Sequence, residues 1–379
     1  MAVLAPASLD ELAMMVREAL ASETKLEIRG GGSKAGVGAP RDAAILDMRG
    51  LSGIVDYDRA ELVLTLGAGT PLAQVQALLA ENGQMLAFEP FDHGPVFGAP
   101  PGAATIGGVV AGAISGSRRL SAGAARDHLL GFTAVSGRGE IVSGGGKVVK
   151  NVTGFDLPKL MAGSWGRLGA LAEISLKVLP APAATRTCVL RGQDAPMAAA
   201  AMARALGSAI APAAAAYLPG AAAQTVLRIE GFGPSLDARW SMLEAMFGPV
   251  EAAPDAVWDG LRTLAPLPRE GALWRLSVPA RHMPAIGNAL ETAGAPWLAD
   301  WGGALVWTVL DDPALARRIA DEAGGHAMLF RADPAVRSAV PAFHPQPAVN
   351  AALEARVIGA FDPLGVFATG RFQGDVDAH

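Results

Sequence analysis

The sequence is poor in cysteine, in charged residues and in long hydrophobic runs. A single cysteine, Cys188, excludes an internal disulfide and any iron–sulfur or zinc site held by several cysteines. Charged residues make up 18% of the 379 residues and the net charge is −5, so the basic character of a nucleic-acid-binding protein is missing. Hydrophobic residues make up 51%, which excludes disorder for most of the chain and, at this length, favours two domains.

No stretch predicts a signal peptide or a membrane-spanning helix. The N-terminus lacks a basic segment, and Ser8 with Glu11 forms a capping-box pattern that predicts a helix over residues 9–21. The two longest apolar stretches, residues 98–117 and 195–220, are interrupted by prolines. The second of them predicts an alanine-rich helix and its connection. We therefore expect a cytoplasmic protein that associates peripherally with the inner face of a membrane, if at all, through partners.

The glycines gather in one part of the chain. Residues 101–180 hold 16 of the 46 glycines and lie in about a fifth of the length, between short β-branched runs. Glycine lets a backbone approach a large ligand closely, so this region indicates a surface that binds a cofactor. Within it, Thr105 to Gly108 is equally compatible with a cofactor wall and with close packing of a helix on a sheet.

A second glycine-rich segment follows a predicted strand at residues 26–29. Gly30 to Ala35 formally fit G-x-G-x-x-G/A, but residues 36–40 (GVGAP) cannot begin the helix that a Rossmann site needs. A turn of this kind still presents successive N–H groups to a pyrophosphate. The alternative is a turn that only connects two strands.

The remaining pattern predicts an α+β fold. Thr70 as N-cap and Pro71 at the first position predict a helix to about residue 82. A Pro-Ala-Pro sequence at 180–182 marks a boundary, and repeated strand–helix units beyond it predict a ferredoxin-like cap domain. The predicted parts are residues 1–182, the cap at 183–340, and residues 341–379, a helix with a turn and a short strand that returns to the first domain.

Six motifs stand in a specific order. They are RGGGSK (29–34), ATIGG (104–108), RDHLLG (126–131), KNVTGFDL (150–157), GSWGRLG (163–169) and ISLKVLP (174–180). This order resembles the FAD-binding domain of the vanillyl-alcohol oxidase/PCMH-type flavoproteins, and within it the D-2-hydroxy-acid dehydrogenase branch. The short length and the GSWG variant are similar to the smaller FAD-binding subunits of bacterial glycolate oxidases. The resemblance covers residues 5–180 and 361–371 (FDPLGVFATGR), and the cap only loosely.

The resemblance implies a PCMH-type FAD-binding domain of two subdomains, followed by an α+β cap. It implies that the FAD pyrophosphate lies against Gly30, Gly31, Gly32, Ser33 and Lys34. The rest of the cofactor would contact eight further residues: Thr105, Gly112, Ala113, Ser115, Gly116, Gly166, Leu168 and Gly169. Some relatives attach the flavin to a histidine that follows the triple glycine, and Ser33 at that place implies non-covalent FAD.

The catalytic residues stay unassigned. Full-length D-2-hydroxy-acid dehydrogenases of this family carry an H-x-G-D-G-N-x-H stretch that holds a divalent metal, and this sequence has none. No two of its histidines are spaced as a ligand pair, so we expect no metal site: His93, His128, His282, His326, His344 and His379. His93 and His344 are candidate proton acceptors, although a structural role is more common. Oxidation of a 2-hydroxy acid also needs a cation for its carboxylate, for which the candidates are Arg118, Arg119 and Arg126.

The resemblance implies an enzyme that works inside a hetero-oligomer. The leading hypothesis is the FAD-binding subunit of a glycolate oxidase (glycolate dehydrogenase) complex, which oxidises glycolate to glyoxylate and passes electrons to an acceptor other than NAD. The implied partners are a larger FAD-binding subunit and an iron–sulfur subunit. The alternatives are a stand-alone FAD-dependent D-2-hydroxy-acid dehydrogenase and a non-catalytic flavoprotein scaffold. Trp297 and Trp301 of the cap belong either to a subunit interface or, as is more common, to the core.

Overall fold

The computed structural model describes residues 2–146 and 155–372. The strands are β1 Val3–Leu4, β2 Leu26–Arg29, β3 Ala44–Asp47, β4 Ile54–Asp58, β5 Val63–Gly67, β6 Gln84–Met85, β7 Leu129–Val135, β8 Ile141–Gly145, β9 Ala170–Lys177, β10 Leu179–Pro180, β11 Ala184–Arg191, β12 Ala214–Leu218, β13 Gln224–Gly231, β14 Glu251–Ala253, β15 Leu273–Ser277, β16 Trp297–Asp300, β17 Leu305–Val309 and β18 His326–Arg331. The helices are α1 Leu9–Ala21, α2 Leu72–Glu81, α3 Ile106–Ala111, α4 Arg119–Ala122, α5 Ala125–His128, α6 Leu157–Met161, α7 Ala195–Leu206, α8 Gly233–Phe247, α9 Ala256–Thr263, α10 Met283–Thr292, α11 Pro313–Glu322, α12 Pro334–Ala339 and α13 Ala348–Phe361.

The chain folds into two compact units. The first comprises residues 1–115, 123–180 and 345–379, and the second comprises residues 116–122 and 181–344. The C-terminal segment therefore lies with the first unit. Residues 116–122, which the sequence groups with the FAD-binding part, lie with the cap instead.

The first unit contains three separate sheets, of which the smallest is the antiparallel pair of β6 and β10. Strands β1, β3 and β2 form a small parallel sheet, and β4, β5, β9, β7 and β8 form a larger antiparallel one. Helix α1 covers residues 9–21 as predicted, because Ser8 Oγ accepts a hydrogen bond from the Glu11 N–H. Its apolar residues recur at helical spacing, and Leu12 and Val16 pack in one core with Leu46 of the small sheet.

Helix α2 begins one residue later than predicted. Its N-cap is Pro71, and Thr70 is not the cap because its hydroxyl donates instead to the carbonyl of Gly67 and accepts from the N–H of Gly53. The Thr-Pro pair therefore predicted the start of the helix to within one residue, although the Thr70 side chain bonds to other parts of the backbone and does not cap the helix. The hairpin of β7 and β8 confirms the prediction for residues 131–142.

The second unit is a single eight-stranded antiparallel sheet that contains two ferredoxin-like repeats. Its strand order is β14-β11-β13-β12-β16-β17-β15-β18. Each half has the order β-α-β-β-α-β along the chain, with helices α7 and α8 in the first half and α10 and α11 in the second. The two halves join edge to edge through β12 and β16. The ferredoxin-like prediction is therefore confirmed, and the cap holds two copies of the motif.

Two details of the sequence prediction are wrong. Residues 195–220 contain helix α7 but also strand β12, whose alanines suggest helix because alanine has low strand propensity. The segment after α13 forms turns between residues 362 and 372 and no strand. Among the described residues, no helix is both long enough and apolar enough to cross a bilayer.

Candidate functional site

The first unit contains a cleft whose walls come mainly from four segments of the chain. One wall is the loop after β2, from Gly30 to Ala35, and the opposite wall is Thr105 with helix α3. Residues 165–171 and Arg371 complete it. Of the thirteen residues predicted to bind the cofactor, nine line this cleft: Gly30, Gly31, Gly32, Ser33, Lys34, Thr105, Gly112, Gly166 and Gly169.

Four consecutive backbone N–H groups at the cleft are available to a ligand. Within residues 2–146 and 155–372, the N–H groups of Gly31, Gly32, Ser33 and Lys34 donate to no other residue. The turn itself is closed by Ala35, whose N–H donates to the carbonyl of Gly32 at 2.9 Å. Successive unsatisfied N–H groups in such a turn form an anion-binding concavity.

The glycines of this loop are needed because two backbones approach each other closely. A Cβ atom at Gly31 would overlap the carbonyl oxygen of Ala103, and one at Gly30 would overlap the hydroxyl of Thr105. Gly32 has φ +77, a conformation that favours glycine. Close packing against Ala103 and Thr105 therefore explains Gly30 and Gly31, and the cleft lies beside them.

Asp92 holds the opposite wall in place. Its carboxylate accepts hydrogen bonds from the N–H groups of Gly102 and Ala103, at 2.7 and 3.0 Å, and from Gly94. These bonds order residues 102–104, the segment against which the glycine loop packs. The sequence contains this residue in FEPFDHG, next to His93, but no pattern indicates its role.

Lys34 places a buried cation in the cleft. The residue is 9% exposed, and its ammonium lies 3.4 Å from Ser33 Oγ. Burial, with a smaller contribution from Arg371, lowers the pKa of Lys34 to about 8, although Asp92 opposes the shift. A buried ammonium favours a ligand whose negative charge compensates for the lost water.

The strand before the glycine loop adds a network of charged side chains. Glu27 is buried and pairs with Arg29 at 2.9 Å and also with Arg41. Burial raises the pKa of Glu27, but the hydrogen bonds from the two arginines outweigh that effect and hold the pKa below its usual range. Two arginines share one carboxylate here, so positive charge is in excess near the cleft.

The C-terminal segment closes the end of the cleft near residues 34–39. Arg371 donates hydrogen bonds to the carbonyls of Lys34 at 2.6 Å and Val37 at 3.0 Å. Its guanidinium lies 5.3 Å from the centre of the Trp165 ring. These contacts of Arg371 with the glycine loop join the C-terminal segment to the first unit.

The comparisons with known proteins agree with this geometry. A family described as "FAD binding domain" matches residues 1–145. The glycolate oxidase subunit GlcE of Escherichia coli is 36% identical over 374 residues, which cover 95% of this chain and 96% of that protein. This chain belongs to the GlcE family of PCMH-type FAD-binding proteins.

More distant relatives match about half of the chain's length. The D-2-hydroxyglutarate dehydrogenase of Xanthomonas citri is 31% identical over 192 residues, and GlcD of Bacillus subtilis is 30% identical over 190 residues. These matches cover 39% and 38% of those proteins. Among solved structures, alkyldihydroxyacetonephosphate synthase covers 96% of this chain with a TM-score of 0.69 at 16% identity, which shows a common fold.

The cleft of this GlcE-family chain fits FAD. The four unsatisfied N–H groups and the buried Lys34 ammonium form a donor set suited to a pyrophosphate. Opposite them, a Cβ atom at Gly112 would come within 3.2 Å of Lys34 Cε, so a side chain there would fill the cleft. FAD is therefore the cofactor that the residues and the family support together.

Four of the predicted cofactor residues do not line the cleft. Leu168 is 5% exposed and belongs to the core of the larger sheet. Ser115 Oγ accepts the Ala125 N–H, and Ala113 lies beside the cleft with φ +50. Gly116 belongs to the second unit, where its carbonyl accepts the indole N–H of Trp301. The first five residues of the KNVTGFDL motif, 150–154, lie outside the described residues.

The candidate histidines have different surroundings. His344 has both ring nitrogens occupied, since Nδ1 accepts the Ala327 N–H at 3.1 Å and Nε2 lies 2.8 Å from Asp321 Oδ1. This supports a structural role rather than proton transfer. His93 is 2% exposed and lies 4.4 Å from Phe91 between ring centres. His379 lies outside the described residues, and in the described part of the chain no three metal-binding side chains converge.

The candidate arginines do not form one site. Arg118 pairs with Glu230 and Arg119 stacks on Trp301, both within the second unit, whereas Arg126 in the first unit is exposed and lies 3.8 Å from Asp127. Trp301 is 6% exposed, and Trp297 is 5% exposed. The core interpretation is thus right for both tryptophans.

Proposed function

We propose that this chain is the FAD-binding subunit of a glycolate oxidase complex that oxidises glycolate to glyoxylate. The observation that carries the proposal is the match with GlcE along nearly the whole of both chains, including the cap. A fragmentary match to the FAD domain alone would support only cofactor binding. When bound, FAD supplies the acceptor for the two electrons that leave a 2-hydroxy acid.

In this proposal the chain's own residues bind and orient the cofactor. The N–H groups of residues 31–34 would hold the pyrophosphate, Lys34 would compensate its charge, and the wall from Thr105 to Gly112 would exclude bulky groups from the cleft. Ser33 stands where a covalently linked flavin would need a histidine, so the FAD is held non-covalently.

The substrate metal and the electron path are assigned to partners. The sequence has no H-x-G-D-G-N-x-H stretch, so a metal site of that kind would be on a larger FAD-binding subunit. Its single cysteine is buried, and burial raises the pKa of Cys188 to about 12, so this side chain is unsuited to hold a cluster. An iron–sulfur subunit would then carry electrons to an acceptor other than NAD, in a cytoplasmic assembly that meets the membrane through its partners.

The test uses the visible spectrum of the purified full chain. After reconstitution with FAD, glycolate or D-lactate is added without oxygen, first to the chain alone and then together with the co-expressed larger subunit. Bleaching of the flavin only with the larger subunit supports the proposal. Bleaching by the chain alone supports a stand-alone D-2-hydroxy-acid dehydrogenase, and a chain that retains no flavin would leave only a scaffold role.

The stand-alone alternative has one specific observation in its favour. The second unit carries an arginine, Arg275, that has no carboxylate partner among the described residues and lies in the sheet of the cap. A cation in this position suits the carboxylate of a 2-hydroxy acid.

A further inference from the structure

The second unit presents Arg275 on one face of its sheet. Trp274 and Leu276, its neighbours in β15, pack into the core together with residues of the helices. Because side chains alternate along a strand, Arg275 and Ser277 face the other side of the sheet. Ser277 pairs in register with His326 of β18, so these three residues share one corner of that face.

Arg119 and Arg275 meet at one indole ring. Their guanidinium carbons lie 4.3 and 5.1 Å from the centre of the Trp301 ring, and Arg275 also lies 5.9 Å from the centre of the Trp307 ring. Arg119 belongs to residues 116–122, which are part of the same unit. Cation–π contact with tryptophan stabilises a guanidinium but leaves its N–H fork available for an acceptor.

Trp301 is held in a strained conformation that places its ring there. Its φ is +53, and Gly302 and Gly303 follow with φ of +63 and +99. The strain is held by two bonds: Asp300 Oδ1 accepts the Trp301 N–H at 2.6 Å, and the indole N–H donates to the Gly116 carbonyl at 3.0 Å. Strain of this kind persists where the surrounding structure over-determines it and is common at ligand sites.

The positive charge of Arg275 has no carboxylate beside it among the described residues. Arg275 donates to Ser277 Oγ at 3.3 Å, and within the part of the chain that the structure describes it contacts no carboxylate. Burial, and then Arg119, lower the pKa of Arg275 to about 10. His326 is exposed to solvent, but partial desolvation of its ring lowers its pKa, and its cationic neighbours, of which Arg275 is the strongest, lower it further. Elsewhere in the second unit, Arg118 and Arg228 do share a carboxylate, that of Glu230 in β13.

We propose that Arg275, with Arg119 and His326 beside it, binds the carboxylate of a small organic acid. The guanidinium fork matches a carboxylate in two parallel hydrogen bonds, and an anion would supply the counter-charge that Arg275 lacks. His326 is exposed, so solvent and a small ligand reach this corner. That the acid is a 2-hydroxy acid rests on the proposed function; that the site takes a carboxylate rests on these residues alone.

The experiment measures acetate binding to the FAD-loaded full chain by line broadening of the acetate methyl signal in proton NMR. Acetate carries the carboxylate but no hydroxyl to oxidise, so the flavin stays oxidised during the titration. We expect saturable binding, weakened about tenfold or more by Arg275→Gln because a charge-assisted pair is lost. Arg275→Lys should retain part of the affinity, and acetamide, which has no charge, should not compete.

The matched control is Arg191→Gln. Arg191 lies in β11 of the same sheet, is exposed and pairs with Glu251 at 2.7 Å, so its loss removes an equal charge away from the proposed site. Arg119→Gln, which changes the edge of the site and not the sheet, serves if Arg275→Gln does not fold. Binding that is unchanged in both Arg275→Gln and Arg119→Gln, or that falls equally in Arg191→Gln, overturns the proposal.

Two further arms separate the proposals. If inorganic phosphate binds more tightly than acetate, the site is a phosphate site and the assignment to a carboxylic acid is wrong. If acetate does not bind but the complex still bleaches with glycolate, the cap site fails while the proposed function stands. If acetate binds at Arg275 but glycolate reduces neither the chain nor the complex, the proposed function fails alone.

Discussion

Lys34 offers a sharp test of the cofactor site. Its pKa in the free protein is about 8, because burial disfavours the charged form. A bound pyrophosphate would place negative charge beside the ammonium and return the pKa toward the ordinary lysine value of about 10.4. FAD binding should therefore take up a proton between about pH 8 and about pH 10.4, where Lys34 is mostly neutral in the free protein and charged in the complex.

The size of the effect follows from these two values. Affinity for FAD should be highest below pH 8 and fall as the pH rises through the pKa of the free protein. About nine-tenths of Lys34 is neutral at pH 9, so binding should be roughly tenfold weaker there than at pH 7. The assay is a fluorescence titration of FAD with apoprotein at pH 7, 8 and 9 and constant ionic strength.

Two variants decide whether Lys34 is the cause. Lys34→Met should bind FAD about tenfold or more weakly at pH 7 and lose the fall between pH 7 and 9, since no ammonium titrates. Lys34→Arg is the matched control, because it keeps the charge and does not titrate in this range. A wild-type affinity that is flat from pH 7 to 9, or an equal fall in Lys34→Met, would refute the reasoning.

The same pKa shift predicts the opposite effect on the apoprotein. Folding lowers the pKa of Lys34 from 10.5 to about 8, which costs about 3 kcal/mol at pH 7. The unfolded chain binds more protons between those values, so the stability of wild-type apoprotein gains from this residue as the pH rises from about 8 to 10.5. Apo Lys34→Met should unfold at a higher temperature than apo wild type at pH 7 in calorimetry. A lower temperature would contradict this account.

Two further predictions concern packing. Gly31→Ala should lose about 1–3 kcal/mol of unfolding free energy in urea and most of its FAD affinity, because the added Cβ overlaps the Ala103 carbonyl. The control is Gly359→Ala, at a helical glycine with open space around it, which should be neutral or gain about 0.5–1 kcal/mol. Cys188 is buried, and burial raises its thiol pKa to about 12, so a thiol reagent should label it only after unfolding. Labelling of the native protein at the unfolded rate would disprove that burial.

Local signals predicted several elements correctly. Ser8 and Glu11 marked the start of α1, and the Glu11 carboxylate in fact reaches the Ala7 N–H at 2.8 Å, one residue beyond the capping-box partner. The alternation in the second half predicted ferredoxin-like units. The alanines of β12 suggested a helix because alanine has a high helix propensity. Burial in the centre of the sheet, which only neighbouring strands provide, overrides that preference.

The glycine-rich segments show the limit of composition. Their sequence indicates close approach of two surfaces, and it does not say whether the second surface is a ligand or another part of the chain. At Gly30 and Gly31 the second surface is the chain itself, at Thr105 and Ala103. The ligand side is identified by the N–H groups of residues 31–34, whose lack of partners is visible only in three dimensions.

By itself the sequence determined the fold class and the family, because motif order and short-range pattern depend on neighbours along the chain. Nine of the residues that it predicts to bind the cofactor line the cleft. The tertiary structure alone decided that Asp92 orders one wall, that Arg371 closes the cleft, and that residues 116–122 join the second unit. It also brought Arg119 to Arg275 across 155 intervening residues at the ring of Trp301. Such sites form through contacts between distant segments, and no local pattern encodes them.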